Sequence, residues 1–247
     1  MISVCLATFN GAQFIHEQVT SILLQLSEND ELIVSDDGSK DDTLKILSSF
    51  HDNRIQVYLN TGEHGFVKNF ENALCHAKGE YIFLSDQDDK WRPNKIKVVL
   101  SYLEHNDMVL HDAEIVDQNG LSMCRLYSES LHQKTGFWAN MWKTRWLGCC
   151  MAFNSRMLEY VMPFPKHMVA HDYWISLIGL ARYSYVYIPD VLIDYRRHGG
   201  NSSSASGKSE NSIYYMLVTK RLWALIEVVK RLVVKFCFSS INSFVCR

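Results

Sequence analysis

The sequence predicts an α/β fold: a doubly wound, mainly parallel sheet followed by a C-terminal helical tail. Two observations carry this reading. Through the first hundred residues, short apolar runs of strand length alternate with stretches of helical periodicity. Three of those runs end in polar clusters, Thr8–Gly11, Asp36–Ser39 and Asp86–Asp89. Strands separated by helices need crossover connections, which make neighbours parallel and cover both sheet faces. Ligands of such sheets sit at the carboxyl ends of the strands, where the three clusters fall.

The elements follow in order. Ile2–Ala7 is a strand stopped by Thr8-Phe9-Asn10-Gly11, which is turn chemistry. Phe14, Ile15, Val19, Ile22, Leu23 and Leu26 recur at helical spacing over residues 12–26. Glu31–Ser35 is the second strand, and Asp41 and Asp42 suit the start of the next helix, with Leu44, Ile46, Leu47 and Phe50 apolar. Ile55–Leu59 is the third strand. Phe66, Val67, Phe70, Ala73, Leu74 and Ala77 line one helix face, and Gly79 ends that helix. Tyr81–Leu84 is the fourth strand, and Pro93 opens a helix with Ile96, Val99, Leu100 and Leu103 inward. Beyond it, Val109–Val116 and Cys150–Phe153 read as strands and residues 155–162 and 171–182 as helices. Residues 199–212 are rich in Gly, Ser and Asn and read as a flexible loop.

Composition bounds the function. With 247 residues, 47% apolar and 21% charged, the chain is globular and long enough for one large core. The net charge of −2 gives no footprint for nucleic acid. Seven cysteines with no CxxC disfavour zinc ribbons and fit a reducing, cytoplasmic compartment. Met1 leads straight into Ile2–Leu6 without a basic stretch, so no cleaved signal peptide is expected. No run of about 18 uncharged apolar residues predicts a spanning helix.

The near-neutral sum hides a division. Residues 213–247 hold six basic residues against Glu227, a net +5, which leaves −7 on residues 1–212. Leu217, Leu222, Leu225, Ile226, Val229, Leu232, Val233 and Phe236 recur at helical spacing between those basic residues, with Tyr214, Tyr215 and Trp223 as aromatics. The tail reads as a basic amphipathic helix lying on an anionic membrane surface. A docked helix with a solvated basic face is the alternative.

The acids converge if the strands are right. Asp86-Gln87-Asp88 is a DxD pattern immediately after a buried strand, followed by Asp89 and Trp91. Grouped carboxylates repel and hold their protons unless a cation compensates, and hard oxygens suit a divalent cation that also grips a diphosphate. Solvated acids or helix caps are the plainer reading of the same residues.

Taken together, these stretches resemble the family 2 glycosyltransferases, inverting enzymes with a GT-A fold. The resemblance runs through Val4–Gly11, Ile33–Asp42, Asn60–Asn69, Gly79–Lys95, Gly148–Asn154, His171–Trp174 and Tyr195–Asn201, and so covers residues 2–201. The SDQDDKW and HDYW segments look most like the branch that builds bacterial surface polysaccharides, rhamnosyltransferase-like in wording.

The resemblance implies a nucleotide-diphosphate sugar donor and a glycan acceptor; the basic tail suits a lipid-linked glycan acceptor and a protein peripheral on the inner face of the cell membrane. The resemblance brings Ala7, Thr8 and Asn10 to the nucleotide. It gives Asp37 the base, with Asp36 beside it or bracing its own turn. It assigns Asp86, Asp88 and Asp89 to Mg²⁺ or Mn²⁺ and the diphosphate, with Asp88 nearest and Asp86 facing the nucleotide ribose or the metal. Asp172 becomes the general base on the acceptor hydroxyl. His171 stands where the family usually has Glu, so its role stays open among tuning the base, touching the acceptor and capping the helix. Trp91 is implied at the sugar site or as a core anchor, and Gly148 near the acceptor. His198 is implied to close over the donor, with Arg196 or Arg197 behind it and the Ser-rich loop as a lid. Two rival readings share this fold or site: a sugar nucleotidyltransferase, disfavoured because TFNGAQF carries no basic residue, and a nucleotide-sugar-binding module without catalysis.

Overall fold

The computed structural model describes residues 1–130, 136–143, 146–166, 168–199 and 221–245. Most of the expected Ser-rich loop, at 200–212, and the start of the tail, at 213–220, lie outside the described residues. The first half follows the predicted alternation: β1 (Ile2–Thr8), α1 (Ile15–Leu23), β2 (Glu31–Asp36), α2 (Thr43–Ser49), β3 (Ile55–Leu59), α3 (Phe66–His76) and β4 (Tyr81–Asp86). A two-residue strand β5 (Lys90–Trp91) precedes α4 (Lys95–Leu103). Then come β6 (Met108–Val116), β7 (Ser122–Leu126), α5 (Phe137–Trp142), β8 (Met151–Asn154), α6 (Leu158–Val161), α7 (His171–Arg182), β9 (Tyr185–Arg196) and α8 (Arg221–Val245).

Among the described residues nine strands form one sheet in the order β3-β2-β1-β4-β8-β6-β9-β5, with β7 on β6. β3, β2, β1 and β4 are parallel neighbours. β8 runs antiparallel to both β4 and β6, and β9 is parallel to β6. The sheet is thus parallel in its N-terminal half and mixed beyond β4.

Strand alternation sorts the core onto two faces. Val4 and Leu6 of β1 pack with Ile15, Val19 and Ile22 of α1 and with Ile96, Val99 and Leu103 of α4. Cys5 of the same strand packs on the other face with Phe70, Ala73 and Leu74 of α3 and with Trp174 and Ile178 of α7. Ile15, Val19 and Ile22 are fully buried, each contributing about 1.5–3 kcal/mol relative to exposure.

The tail is joined to this body. Ala224 and Val228 of α8 enter the second of these clusters, and the Arg231 guanidinium donates to the carbonyls of Met162 and Pro163 at 2.5 and 2.6 Å. The inward face of α8 is therefore that of a docked helix. Its outward face keeps Leu222, Ile226, Val229 and Val233 exposed, a stripe at 4-3-4 spacing.

Candidate active site

The register of the parallel strands brings the polar clusters to one edge. Ala7 of β1 lies opposite both Ser35 and Asp86, and Thr8 opposite Asp36. The loops after β1, β2 and β4 therefore share one cleft.

At its first end the polar groups hold one another. Gln87, the central residue of DxD, accepts from the Thr8 hydroxyl at 2.6 Å and the Phe9 amide at 2.9 Å, and returns a bond to the Phe9 carbonyl. A Cβ at Gly11 would overlap the Gln87 carboxamide and displace this clamp. Asn10 adopts a left-handed backbone (φ 48°), accepts from the Lys40 amide and donates its own amide to Ser39. Asp36 is fully buried and accepts from the Gly38 and Ser39 amides and the Ser39 hydroxyl. It braces its own turn, the second of the two readings made for it. Asp37 reaches the next loop, accepting from Asn60 Nδ2 at 2.7 Å and the Gly65 amide at 2.7 Å, with His64 Nδ1 at 3.1 Å.

The centre is acidic. Oxygens of Asp86 and Asp89 and the Cys149 sulfur lie within 4.8 Å of one another. Burial, then the charges of Asp88 and Asp172, push the Asp86 carboxyl up to about 7. Burial, then Asp88 and Asp86, push Asp89 well above the usual carboxylate range. Burial also raises the Cys149 thiol, so it stays protonated beside these carboxylates. The buried Lys95 ammonium donates to the Cys149 carbonyl at 2.8 Å, and burial lowers its pKa to about 8.

Asp88, whose charge acts on both Asp86 and Asp89, places its Oδ2 2.8 Å from His198 Nε2. The His198 ring packs on Phe14 with centroids 4.7 Å apart. Arg196 is a structural tie, with its amide on Asp89 Oδ1, Nε on the Asp88 carbonyl, and guanidinium on the Gln118 carbonyl and Glu17. It sews the acidic loop to β9.

The third group comes from the start of α7. Asp172, in the first helical turn, accepts from the Tyr173 amide at 2.7 Å. Burial raises its carboxyl to about 6, partly offset by amide hydrogen bonds, that of Gly148 among them. His171 beside it is 5% exposed and neither ring nitrogen has a hydrogen-bond partner. The ring stacks on Phe70 at 3.7 Å, and burial drives its pKa down to about 3, so it is neutral. Gly148 fits only as glycine, since a Cβ would overlap His171 Nε2.

Trp91 is not brought to this cleft. It is 2% exposed, in the core with Phe83 and under the Lys95 ammonium, 4.1 Å from the ring centroid. The sugar-site reading is corrected to the core-anchor one, because a strand-end indole finds more apolar contact inward than in the cleft. Sequence reasoning passed over Gln87 and Lys95. The glycine at position 11 and the lysine four residues after Trp91 are the signals that pointed to them.

A divalent cation fits this centre chemically. The buried Asp89 Oδ2 has no hydrogen-bond partner, and burial first, then the neighbouring carboxylates, make ionisation of Asp86 and Asp89 costly without a cation. The available donors are carboxylate oxygens, which suit hard cations.

A parallel half-sheet ending in an acidic loop, faced by a mixed half-sheet, is the architecture of a GT-A transferase. The fold matches the crystal structure of S. aureus TarS 1-349 in complex with UDP-GlcNAc, with a TM-score of 0.72 and 19% identity over 92% of this chain and 66% of that one. It also matches the mannosyltransferase PcManGT from Pyrobaculum calidifontis in complex with GDP-Man and Mn²⁺, with a TM-score of 0.62 and 19% identity over 96% and 75% of the two chains. Within that class the chain belongs to glycosyltransferase family 2, whose profile matches residues 3–161. An uncharacterized glycosyltransferase of Haemophilus influenzae is 30% identical over 235 residues, covering 85% of this chain and 70% of the relative. The Escherichia coli UDP-Glc:alpha-D-GlcNAc-diphosphoundecaprenol beta-1,3-glucosyltransferase WfgD is 26% identical over 181 residues, 72% of this chain and 70% of the relative.

Proposed function

We propose that the chain is an inverting, metal-dependent transferase of surface polysaccharide synthesis, moving a hexosyl or deoxyhexosyl unit from a nucleotide-diphosphate sugar to a lipid-linked glycan. The observation that carries it is the pair of carboxylate groups from opposite sheet halves. Asp172 follows His171, whose ring lies against Gly148. The residue after Gly148, Cys149, clusters with Asp86 and Asp89, and the Asp172 charge helps to raise Asp86. Asp172, its pKa about 6, is ionised near neutrality and basic enough to take a hydroxyl proton. In this reading Asp172 removes the proton from the acceptor hydroxyl. The acceptor oxygen then attacks the anomeric carbon from the face opposite the diphosphate, which inverts it.

Asp86 and Asp88 would hold Mg²⁺ or Mn²⁺, with Asp89 behind them, and the cation would neutralise the leaving diphosphate. Ala7, Thr8, Asn10 and Asp37 form the nucleotide end, with Asp36 holding the turn that presents Asp37. His198 leaves Asp88 to meet the donor phosphates. His171 and Gly148 border the acceptor. The lipid-linked acceptor of WfgD and the nucleotide sugars of TarS and PcManGT support this assignment.

Purified protein given a panel of nucleotide sugars should release nucleoside diphosphate only with a divalent cation, and Asp88→Ala should abolish release. Full turnover in excess chelator overturns the metal role. Tight calorimetric binding of a nucleoside diphosphate without turnover on any acceptor returns the reading to a binding module.

The outward stripe of α8, with Lys230 beside it, supports contact with an anionic membrane at the inner face. Among the described residues no helix is long and apolar enough to cross a membrane. Because Ala224 and Val228 fill the core, the test is substitution rather than truncation. Leu222→Gln/Ile226→Gln/Val229→Gln should release the protein from anionic vesicles, and unchanged binding overturns the contact.

A further inference from the structure

We propose that α5 is a second membrane anchor, in which Trp138 and Trp142 enter the interface of an anionic bilayer beside the acceptor end of the cleft. The inference rests on the reading that this end works at a lipid surface, and it extends that surface beyond the tail.

The indoles are the starting observation. Trp138 and Trp142 are 71% and 68% exposed. Trp91, Trp146 and Trp174 are at most 4% exposed, and Trp223 packs partly buried against the core. Four residues apart on one helix, the two exposed rings share a face. The opposite face is fixed in the protein: Asn140 donates to the Ser176 hydroxyl at 2.8 Å, and Met141 is buried. The two tryptophans are therefore held outward on a rigid turn.

Position and charge then select the occupant. The Tyr173 hydroxyl donates to the Met141 carbonyl at 3.2 Å, so α5 is fastened to the turn of α7 that carries Asp172. α5 also packs against α8, whose outward apolar stripe is the proposed tail contact. Residues 137–143, helix α5 and the residue that follows it, hold Lys143 and no acid. Lys143, next to Trp142, is exposed. Tryptophan prefers the headgroup level of a bilayer, and neighbouring cations are attracted to anionic headgroups. A second copy meeting this face on a two-fold axis would bring like charges together, whereas an anionic bilayer complements them.

The test uses the full chain and vesicles of equal phosphatidylglycerol and phosphatidylcholine. Trp138→Ala/Trp142→Ala should lower the partition coefficient at least about tenfold, with an unchanged melting temperature because both side chains are exposed. Brominated phosphatidylglycerol should quench the wild-type indole fluorescence, and Trp138→Phe/Trp142→Phe should lose most of that quenching. If the α5 variant loses binding while Leu222→Gln/Ile226→Gln/Val229→Gln keeps it, α5 is the anchor and the tail reading fails. If the tail variant loses binding while the α5 variant floats like the wild type, the present proposal is overturned and the tail reading survives. No flotation of the wild type, or a dimer that dissociates on tryptophan substitution without flotation, overturns it as well.

Discussion

The two halves of the cleft treat their polar groups in opposite ways. On the side built by β1, β2 and β4, the groups are mutually satisfied: Gln87 clamps Thr8 and Phe9, Asp36 takes three donors from its own turn, and Asp37 ties in Asn60 and Gly65. On the side built by α7 and the loop before β8, His171 is buried, Asp172 is half-buried, and desolvation outweighs hydrogen bonding. His171 has no partner on either nitrogen, and Asp172 is raised to about 6. Satisfied loops hold a shape before ligand arrives, while a desolvated carboxylate is a stronger base than a solvated one. On the proposed function, this contrast divides the work between a preformed cradle for the donor and a reactive, less stable acceptor side.

The largest expected effect would break that comparison outright. Asp172→Asn should lower kcat about 10²–10⁴-fold while nucleotide binding by calorimetry is retained. The same variant should melt higher at pH 8. A carboxyl whose folded pKa is about 6, against 3.8 unfolded, binds protons more tightly when folded. Its contribution to stability is full below the unfolded value and is lost as pH rises through about 6. A neutral amide escapes that loss, so a lower melting point at pH 8 contradicts the strain assigned to this side.

Gly148→Ala comes next. The added methyl meets His171, which is held against Phe70, so unfolding should cost about 1–3 kcal/mol less. Denaturant melts measure it, and an unchanged midpoint means the acceptor side is looser than described. The pH profile should then show kcat/KM, at saturating cation, rising with an apparent pKa of about 6, roughly tenfold lower at pH 5 than on the plateau. A flat profile from pH 5 to 8 removes Asp172 as the base. The smallest effect belongs to the donor side. Gln87→Leu removes hydrogen bonds to Thr8 and Phe9, so the donor KM should rise several-fold with kcat little changed. A kcat loss as large as that of Asp172→Asn erases the distinction between the halves.

Legibility in the sequence follows the same line. The first half was readable because β1, β2 and β4 are buried on both faces and the helices show one apolar stripe, so period and length agree. β9 was not. Pro189 and Asp190 fall between Ile188, which pairs with His111, and Val191, which pairs with Asp112, so a bulge breaks the alternation of a twelve-residue strand. β7 left no signal because its residues are nearly all exposed. The six residues of α5 bury only Asn140 and Met141, too few to mark a helical face.

Strand–helix order, the delivery of acids to the carboxyl edge of the sheet, and family membership were all written in ordered local motifs. Which acids are braced and which are strained, and which tryptophans are core and which are surface, came from three-dimensional packing. Those properties depend on partners distant in the chain: Asp88 meets His198, Arg196 meets Glu17, and Asn140 meets Ser176. A side chain's period places it on a face, but its charge state and partners are set by what packs there.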